Sequence, residues 1–145
     1  VSTDLEVRRR ALQCVATMSA SDHSCGVLVE NDVVQTLQHV ALQGAADRHS
    51  HFYIAGALAN LAKNGFGPRM VMDGGLEAVL LFGRSTFVDV QGVAAQAMAN
   101  LAQDASQHKA IADRGGVYLL VDMSRSPDVH VRAHAGTALA LFTQS

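Results

Sequence analysis

The feature that most constrains the fold is an internal repeat with a period of about 41 residues. The segment Ala57 to Ala62 (ALANLA) returns as Ala97 to Ala102 (AMANLA), and related segments begin at Cys14 and Ala138. Near-constant spacing between copies of one apolar pattern is typical of proteins built by stacking similar units. The repeat therefore predicts an array of units, each of which buries its apolar face against its neighbours.

A second block repeats in phase with the first. Asp73-Gly74-Gly75 aligns with Arg114-Gly115-Gly116, and Asn31-Asp32 is a weaker copy. Glycine supplies the positive φ that a tight corner between helices needs, so each unit reads as three helices. The predicted first helices cover 22–30, 68–73 and 106–113; the second helices cover 32–43, 75–83 and 116–124; the third helices cover 4–19, 47–63, 87–103 and 128–143.

The composition agrees with closely packed helices. The chain has 23 Ala and 12 Gly but only two Tyr, five Phe and no Trp, which disfavours a β-sandwich. Small residues recur at the same place in every unit, where neighbouring helices are expected to touch. These columns are Ala16, Ala59, Ala99 and Ala140, and Cys14, Ala57, Ala97 and Ala138. Cys14 is accordingly expected to be a buried small residue.

Charge and cysteine content exclude several classes of protein. The formal net charge is −2 and the pI is near 6.4, so a nucleic-acid partner is not expected. No apolar run is long enough to insert into or cross a membrane. The two cysteines do not make a disulfide framework, which predicts a reducing compartment and a cytoplasmic location. The absence of a starting Met predicts a processed chain or a piece of a longer protein.

The alternation of ALANLA-type third helices with DGGLEAVLLFGRS-type corners and second helices resembles the armadillo-repeat family. The resemblance implies an all-α fold, a right-handed α-solenoid of armadillo repeats, with about three and a half repeats. We expect a single array over 1–145, made of a third helix at 1–19 and repeats at 20–62, 63–103 and 104–145, as part of a longer array or protein.

The resemblance also implies a concave groove, lined by the third helices, that holds an extended peptide or a partner helix. An Asn on each third helix hydrogen-bonds the bound backbone in peptide-binding members, and Asn60 and Asn100 match it. We expect neither Asn to take part in packing between helices. The Trp that precedes this Asn by one turn in the family is replaced by Gln13, Gly56, Gln96 and Thr137. Importin-like recognition of basic peptides is therefore not expected.

Helical geometry extends the Asn column into a stripe on one face. The candidate partner-binding residues are Arg10, Gln13, Thr17, Tyr53, Gly56, Asn60, Gln96, Asn100, His134 and Thr137, with Val93 and Leu141 completing the stripe. This stripe is mostly polar and uncharged, which favours hydrogen bonding to backbone and amide groups over charge matching. The alternative interpretation of the same pattern is that these residues are merely solvent-exposed positions on their helices.

No catalytic residues, metal ligands or cofactors are expected. His130 and His134 have the i, i+4 spacing of a two-ligand metal site, but no Cys or acidic residue is spaced to complete it, and solvated histidines explain the pair as well. Residues 64–68 (NGFGP) follow a helix instead of a strand and lack the Gly-Lys-Ser/Thr ending of a phosphate loop, so they are expected to form a corner. No nucleophile with a His and an acid can be argued from residue order.

These observations predict a non-enzymatic protein–protein interaction scaffold whose groove binds a protein or peptide partner. One alternative is a regulatory or oligomerisation segment of a larger multidomain protein. Val15, Met18, Leu139 and Phe142 are expected to leave apolar surface at the ends of the array, through which it self-associates or meets further repeats. A small molecule bound in the groove is a further alternative.

Overall fold

The computed structural model describes residues 2–43 and 47–144. The helices in these ranges are α1 (Ser2–Met18), α2 (Asp22–Glu30), α3 (Val33–Leu42), α4 (Arg48–Leu61), α5 (Gly67–Met72), α6 (Gly75–Gly83), α7 (Val88–Ala102), α8 (His108–Asp113), α9 (Gly116–Met123) and α10 (Val129–Phe142). No strand occurs in the described ranges. The expected array boundaries at residues 1 and 145 lie outside the described residues.

Every predicted helix is present, and its ends lie within two residues of the expected positions. Asp128 accepts hydrogen bonds from the backbone N–H groups of His130 and Val131, so it caps the start of α10. One local feature differs from the prediction. The chain leaves α4 through a π-helical turn, Ala62–Phe66, in which Gly65 has a φ of 92°. A positive φ at this point redirects the chain into α5.

The helices pack as repeated layers. The third helices α1, α4, α7 and α10 lie side by side in chain order, and the second helices α3, α6 and α9 form a parallel row behind them. Each first helix contacts the second helix that follows it. Because each unit contacts mainly its neighbours, the buried core extends continuously along the array from α1 to α10.

The corner between each first and second helix has a left-handed residue, as the repeated Gly pairs predict. Gly74 and Gly115 have φ values of 92° and 82°. In the weaker copy, Asp32 occupies the same corner with a φ of 60°, a conformation that Asp adopts more readily than most residues. The three corners therefore share one backbone geometry, and the non-glycine copy carries a modest local strain.

The small-residue columns are buried in the inner units, with one correction. Ala57, Ala97 and Ala138 are fully buried, but Cys14 in the same column is exposed, so the expectation that it is buried is wrong. The reason is that the members of this column are not all covered by a neighbouring helix. This side of α4, α7 and α10 packs against the second helix of the same unit, whereas no described helix covers it on α1. The exposed residues of this α1 side are Val7, Ala11, Cys14 and Met18.

Candidate functional site

The ten candidate residues all lie on the solvent-facing side of the third helices, and we call this surface the third-helix face. Arg10, Gln13, Thr17, Gln96 and Thr137 are exposed, and Tyr53, Gly56, Asn60, Asn100 and His134 are half-buried. The face is therefore accessible to solvent along all four helices. An added Cβ at Gly56 would meet no atom within 4 Å, so open space lies in front of this position.

The two asparagines of the face link successive third helices. The Asn100 Nδ2 donates to the backbone oxygen of Ala59 at 3.0 Å, and the Asn60 Nδ2 donates to that of Ala16 at 3.4 Å. Ala16 and Ala59 are equivalent positions in the last turns of α1 and α4, and their oxygens also accept from the Ser19 hydroxyl and the Ala62 N–H. The expectation that neither Asn takes part in joining helices is therefore wrong.

The two asparagines differ in what they leave free. The Asn60 amide also donates to the Ser19 Oγ at 3.1 Å, so both of its bonds point toward α1. Asn100 makes a single bond to α4 through one amide hydrogen. A primary amide has two N–H donors and a carbonyl acceptor, so Asn100 keeps one N–H and its oxygen for other partners.

A cavity of about 710 Å³ opens between α7 and α10. Gln96 and His134 from the candidate set line it, together with residues at the starts of both helices. We call it the α7–α10 cleft; its remaining lining residues are Arg48, Thr86, Phe87, Val88, Asp89, Gly92, Val93, Asp128 and His130. Apolar and hydrogen-bonding groups thus share one open site, as is usual in ligand-binding clefts.

A smaller cavity of about 290 Å³, the α4–α7 cleft, is lined by Arg48, His49, Phe52, Tyr53 and Asp89. Arg48 and Asp89 line both clefts. They form an ion pair between the two, in which the Arg48 guanidinium lies 2.6 Å from the Asp89 carboxylate. Burial opposes ionisation of Asp89, but hydrogen bonds from Arg48 and from the Val90 N–H outweigh it and lower the pKa of Asp89. The ion pair therefore links the start of α4 to the start of α7, across the boundary between neighbouring units.

A comparable ion pair joins α1 to the start of α4. Arg9 donates to the Asp47 carboxylate at 2.8 Å, and Ser50 donates to the same group. Burial of Asp47 opposes its ionisation, yet these hydrogen bonds hold its pKa well below the usual range. Between α7 and α10 no such pair occurs among the described residues, and the large cleft lies there instead.

No protein-family model and no curated protein sequence matches the chain. Solved structures do. An engineered protein superposes with a TM-score of 0.89 and 32% identity over 99% of this chain. A computationally designed armadillo repeat protein for modular peptide recognition gives a TM-score of 0.86 at 20% identity, over 94% of this chain. A designed armadillo repeat protein in complex with the peptide (KR)4 gives 0.85 at 19%, also over 94%.

The chain has an armadillo repeat fold. The expected all-α, right-handed solenoid is confirmed by these superpositions and by the helix order. The chain spans 59% of the engineered protein and 58% of each of the two designed armadillo proteins.

Some residues that line the α7–α10 cleft and the α4–α7 cleft were not predicted as binding residues from the sequence. Arg48 and Asp89 were not candidates, and His130 was considered only as a metal ligand; all three lie about three turns before the Asn column, at the starts of their helices. Opposite charges at Arg48 and Asp89, about one repeat period apart, were a usable signal. Of the candidate set, Arg10, Gln13, Thr17, Gly56, Asn60, Asn100 and Thr137 line neither cleft, and Asn100 lines a separate cavity of about 280 Å³.

Metal and membrane sites receive no support from the described residues. No group of three or more His, Cys, Asp or Glu side chains in the described ranges is placed to hold a metal ion. His130 and His134 share the α7–α10 cleft, but no third ligand joins them there. None of the helices that the structure describes is both long and apolar enough to span a bilayer.

Proposed function

We propose that this armadillo array is a non-enzymatic scaffold that binds an extended segment of a protein partner along the third-helix face. The α7–α10 cleft carries the proposal, because it opens on the same face as the Asn column and includes Gln96 and His134. Two armadillo proteins of similar fold are described as peptide-recognition designs or as a peptide complex, which supports a peptide as the ligand class.

The proposed mechanism uses amide groups held in place by helix packing. Asn100 keeps one N–H and its carbonyl oxygen for a ligand, which is the pair needed to engage one peptide unit. Gln96 lies about one turn earlier on the same helix and is exposed. Because the helices fix the backbone positions of these side chains before binding, less ordering entropy is lost when a segment docks than on a flexible loop. Phe87 and Val93 then offer apolar contact within the cleft.

Burial disfavours the thiolate form of Cys25, the buried cysteine, and this favours a non-enzymatic role. Burial raises the pKa of Cys25, although a hydrogen bond from Asn64 opposes the increase. Its Sγ–H donates to the Ser19 backbone oxygen at 3.1 Å, a structural contact between α2 and the end of α1. Since the thiolate is the reactive form, Cys25 acts as a packing residue.

We place the protein in a reducing compartment, the cytoplasm. Both cysteines are free, and Cys14 is exposed to solvent. An exposed thiol is stable against oxidation where glutathione keeps cysteines reduced. Mass spectrometry after alkylation in intact cells tests this: we expect Cys14 to be labelled without prior reduction, and a disulfide at Cys14 contradicts the assignment.

The two tyrosines offer a matched pair of variants for the test. Tyr53 lines the α4–α7 cleft on the third-helix face, whereas Tyr118 is 83% exposed on the second helix α9. A displayed library of random 12-residue peptides supplies ligands, and fluorescence polarisation measures their Kd. We expect Tyr53→Ala to weaken binding about tenfold and Tyr118→Ala to leave it unchanged. Circular dichroism checks folding, and the reverse pattern of losses contradicts the proposal.

The exposed side of α1 supports a second candidate, an assembly segment of a larger array. Val7 is 62% and Met18 is 43% exposed, although the residues equivalent to Val7 on α4, α7 and α10 are buried. A helix pair like α2–α3, from further repeats or another copy, would cover this side. Multi-angle light scattering over a range of concentrations tests self-association. We expect Val7→Glu to abolish any dimer, and a dimer that persists in the variant contradicts this candidate.

A further inference from the structure

We infer that a pocket outside the third-helix face binds a small carboxylic acid with an apolar body. The pocket has a volume of about 350 Å³ and opens beside the ends of α3 and α6 and the start of α4. We call it the α3–α6 pocket. The inference goes beyond the proposed function, because none of the ten candidate residues of the third-helix face lines this pocket.

The lining of the α3–α6 pocket is mainly apolar. Ala41 at the end of α3 and Phe82 at the end of α6 are 3% and 1% exposed, whereas Leu42 and Leu81 are 49% and 39% exposed. The apolar lining therefore extends from the buried core to the surface, and Phe87 adds a second aromatic ring to it. Such a lining favours a ligand that buries an apolar body against it.

The hydrogen-bonding groups of the pocket are concentrated in the connection between α6 and α7. Arg84, Ser85 and Thr86 follow one another there, and all three line the pocket. Arg84 donates through Nη1 to the Leu80 backbone oxygen at 3.3 Å, and its Nε and Nη2 make no hydrogen bond within the described residues. The Ser85 Oγ accepts from the Phe87 N–H at 3.0 Å, which leaves its own O–H to donate. Several donors thus lie close together beside an apolar lining.

The charge of the pocket favours a carboxylate as the polar end of the ligand. Arg84 is the one charged side chain among the described lining residues, since burial lowers the pKa of His51 and keeps its ring neutral at pH 7. Arg84 forms no ion pair within the described chain, whereas the α7–α10 cleft sets Asp89 and Asp128 against Arg48. A guanidinium can hold a carboxylate through two N–H donors at once, and it repels a cationic ligand.

Neighbouring groups outside the lining leave this preference intact. Asp47 acts on His51 from the start of α4, but its carboxylate is paired with Arg9 at 2.8 Å and lies 3.5 Å from Arg8. The end of α6 has the negative end of a helix dipole, which disfavours an anion. The backbone oxygens of residues 80–83 at this end each accept a hydrogen bond within the chain, and this reduces their repulsion of a carboxylate.

The test measures binding of three apolar acids, 4-methylpentanoate, 3-phenylpropionate and 2-naphthoate, to ¹⁵N-labelled protein by NMR at pH 7.4. We expect at least one acid at millimolar concentration to shift the backbone amides of Leu42, Phe82 and Ser85. The acid that binds best is then compared with its amide and with the primary amine of the same carbon skeleton. We expect the acid to bind about fivefold more tightly than the amide, the scale of one exposed ion pair, and the amine to bind most weakly.

Two results of this comparison overturn the inference. The first is that none of the three acids shifts the amides of Leu42, Phe82 and Ser85. The second is that the amide or the amine binds as tightly as the acid, because Arg84 would then contribute no recognition of charge.

Two pairs of variants identify the groups responsible. Arg84→Gln removes the cation, and Arg125→Gln is its control, because Arg125 has the equivalent place one repeat later and lies outside the pocket. Leu81→Asn removes apolar lining, and Val121→Asn, at 37% exposed on α9, is its control. We expect Arg84→Gln to lower the affinity of the acid to that of the amide, and Leu81→Asn to weaken both about threefold. Both controls should bind as the wild type does, and unchanged binding of the acid to Arg84→Gln overturns the inference.

Tyr53→Ala distinguishes this pocket from the third-helix face. Thr86 and Phe87 line both the α3–α6 pocket and the α7–α10 cleft, so they are unsuitable for this purpose, whereas Tyr53 lines only the α4–α7 cleft. We expect Tyr53→Ala to bind the acid with wild-type affinity. Loss of acid binding in this variant assigns the acid to the third-helix face and overturns the inference, while the proposed function stands. If instead no selected peptide responds to Tyr53→Ala, the proposed function fails and the pocket is unaffected.

Discussion

The Asn100 side chain donates to the backbone oxygen of Ala59 at 3.0 Å, across the boundary between two units. Asn60 makes the equivalent bond to Ala16, so the same contact recurs one repeat earlier. Each of these oxygens also accepts from a nearby group, Ala16 from the Ser19 hydroxyl and Ala59 from the Ala62 N–H, so the amides add a second bond that crosses between units. A residue type that suggested ligand binding in the sequence therefore also connects the repeats.

This contact gives Asn100 a measurable role in stability. We expect Asn100→Ala to lower the free energy of unfolding by about 1 kcal/mol, the usual net value of one hydrogen bond. Gln96→Ala, on the exposed side of the same helix, should change it by less than about 0.5 kcal/mol. Urea denaturation followed by circular dichroism measures both. Equal stability of the two variants would show that the bond to Ala59 contributes nothing.

Two glycines should respond to Ala substitution in opposite directions. Gly56 lies within α4 with nothing within 4 Å of an added Cβ, so Gly56→Ala should stabilise the fold by about 0.5–1 kcal/mol through helix propensity. At Gly116 the added Cβ would lie 2.5 Å from the Ile111 side chain and 2.8 Å from its backbone oxygen. Gly116→Ala should therefore destabilise by about 1–3 kcal/mol. Thermal denaturation distinguishes the two, and a higher Tm for Gly116→Ala would contradict the packing.

The ion pair at Asp47 predicts a specific loss of stability in acid. Because the folded state lowers the pKa of this carboxyl, its contribution is complete above the unfolded value, about 4, and is lost as the pH falls further. We expect Asp47→Asn to cost about 1–3 kcal/mol at pH 7 and to flatten the decline in stability between about pH 4 and pH 2. Urea titrations at several pH values measure this. A wild-type slope in the variant would assign the acid sensitivity to other carboxyls.

The alanine column predicts intolerance of larger side chains between units. Ala99 is 6% exposed on α7, and Ala59 is 4% exposed on α4. Ala99→Leu and Ala59→Leu should each lower the free energy of unfolding by about 1–3 kcal/mol, since the extra atoms have no space without movement of a helix. Ala140→Leu is the control, because this member of the column is exposed on α10. Unchanged stability at Ala59 and Ala99 would mean that the column does not mark the unit contacts.

Local signals explain why the helices were predictable. The Gly pairs at 74–75 and 115–116 mark corners through the need for positive φ, and Asp128 marks the start of α10 as a cap. The corner after α4 has a comparable signal in Asn64-Gly65, whose glycine has a φ of 92°, but residue type does not reveal the π-helical form of the turn Ala62–Phe66. Cys14 was predicted wrongly because burial depends on the neighbouring helix, and no described helix covers that side of α1.

The same distinction applies to the candidate site. Helical periodicity was enough to place Gln96 and Asn100 on one side of α7, since i and i+4 share a face. It did not reveal the α7–α10 cleft, whose lining includes residues from three helices. The Arg48–Asp89 pair depends on how α4 and α7 are staggered, which is set by packing between units.

The central claim is that the third-helix face is the partner-binding surface, and chemical-shift mapping tests it most directly. ¹⁵N-labelled protein is titrated with a peptide from the library selection, and the backbone amide shifts are followed by NMR. The account predicts that the largest changes cluster at Tyr53, Gly56, Gln96, Asn100 and His134. Changes concentrated around Tyr118 on α9, or around Val7 and Met18 on α1, with the third-helix face unaffected, would contradict it.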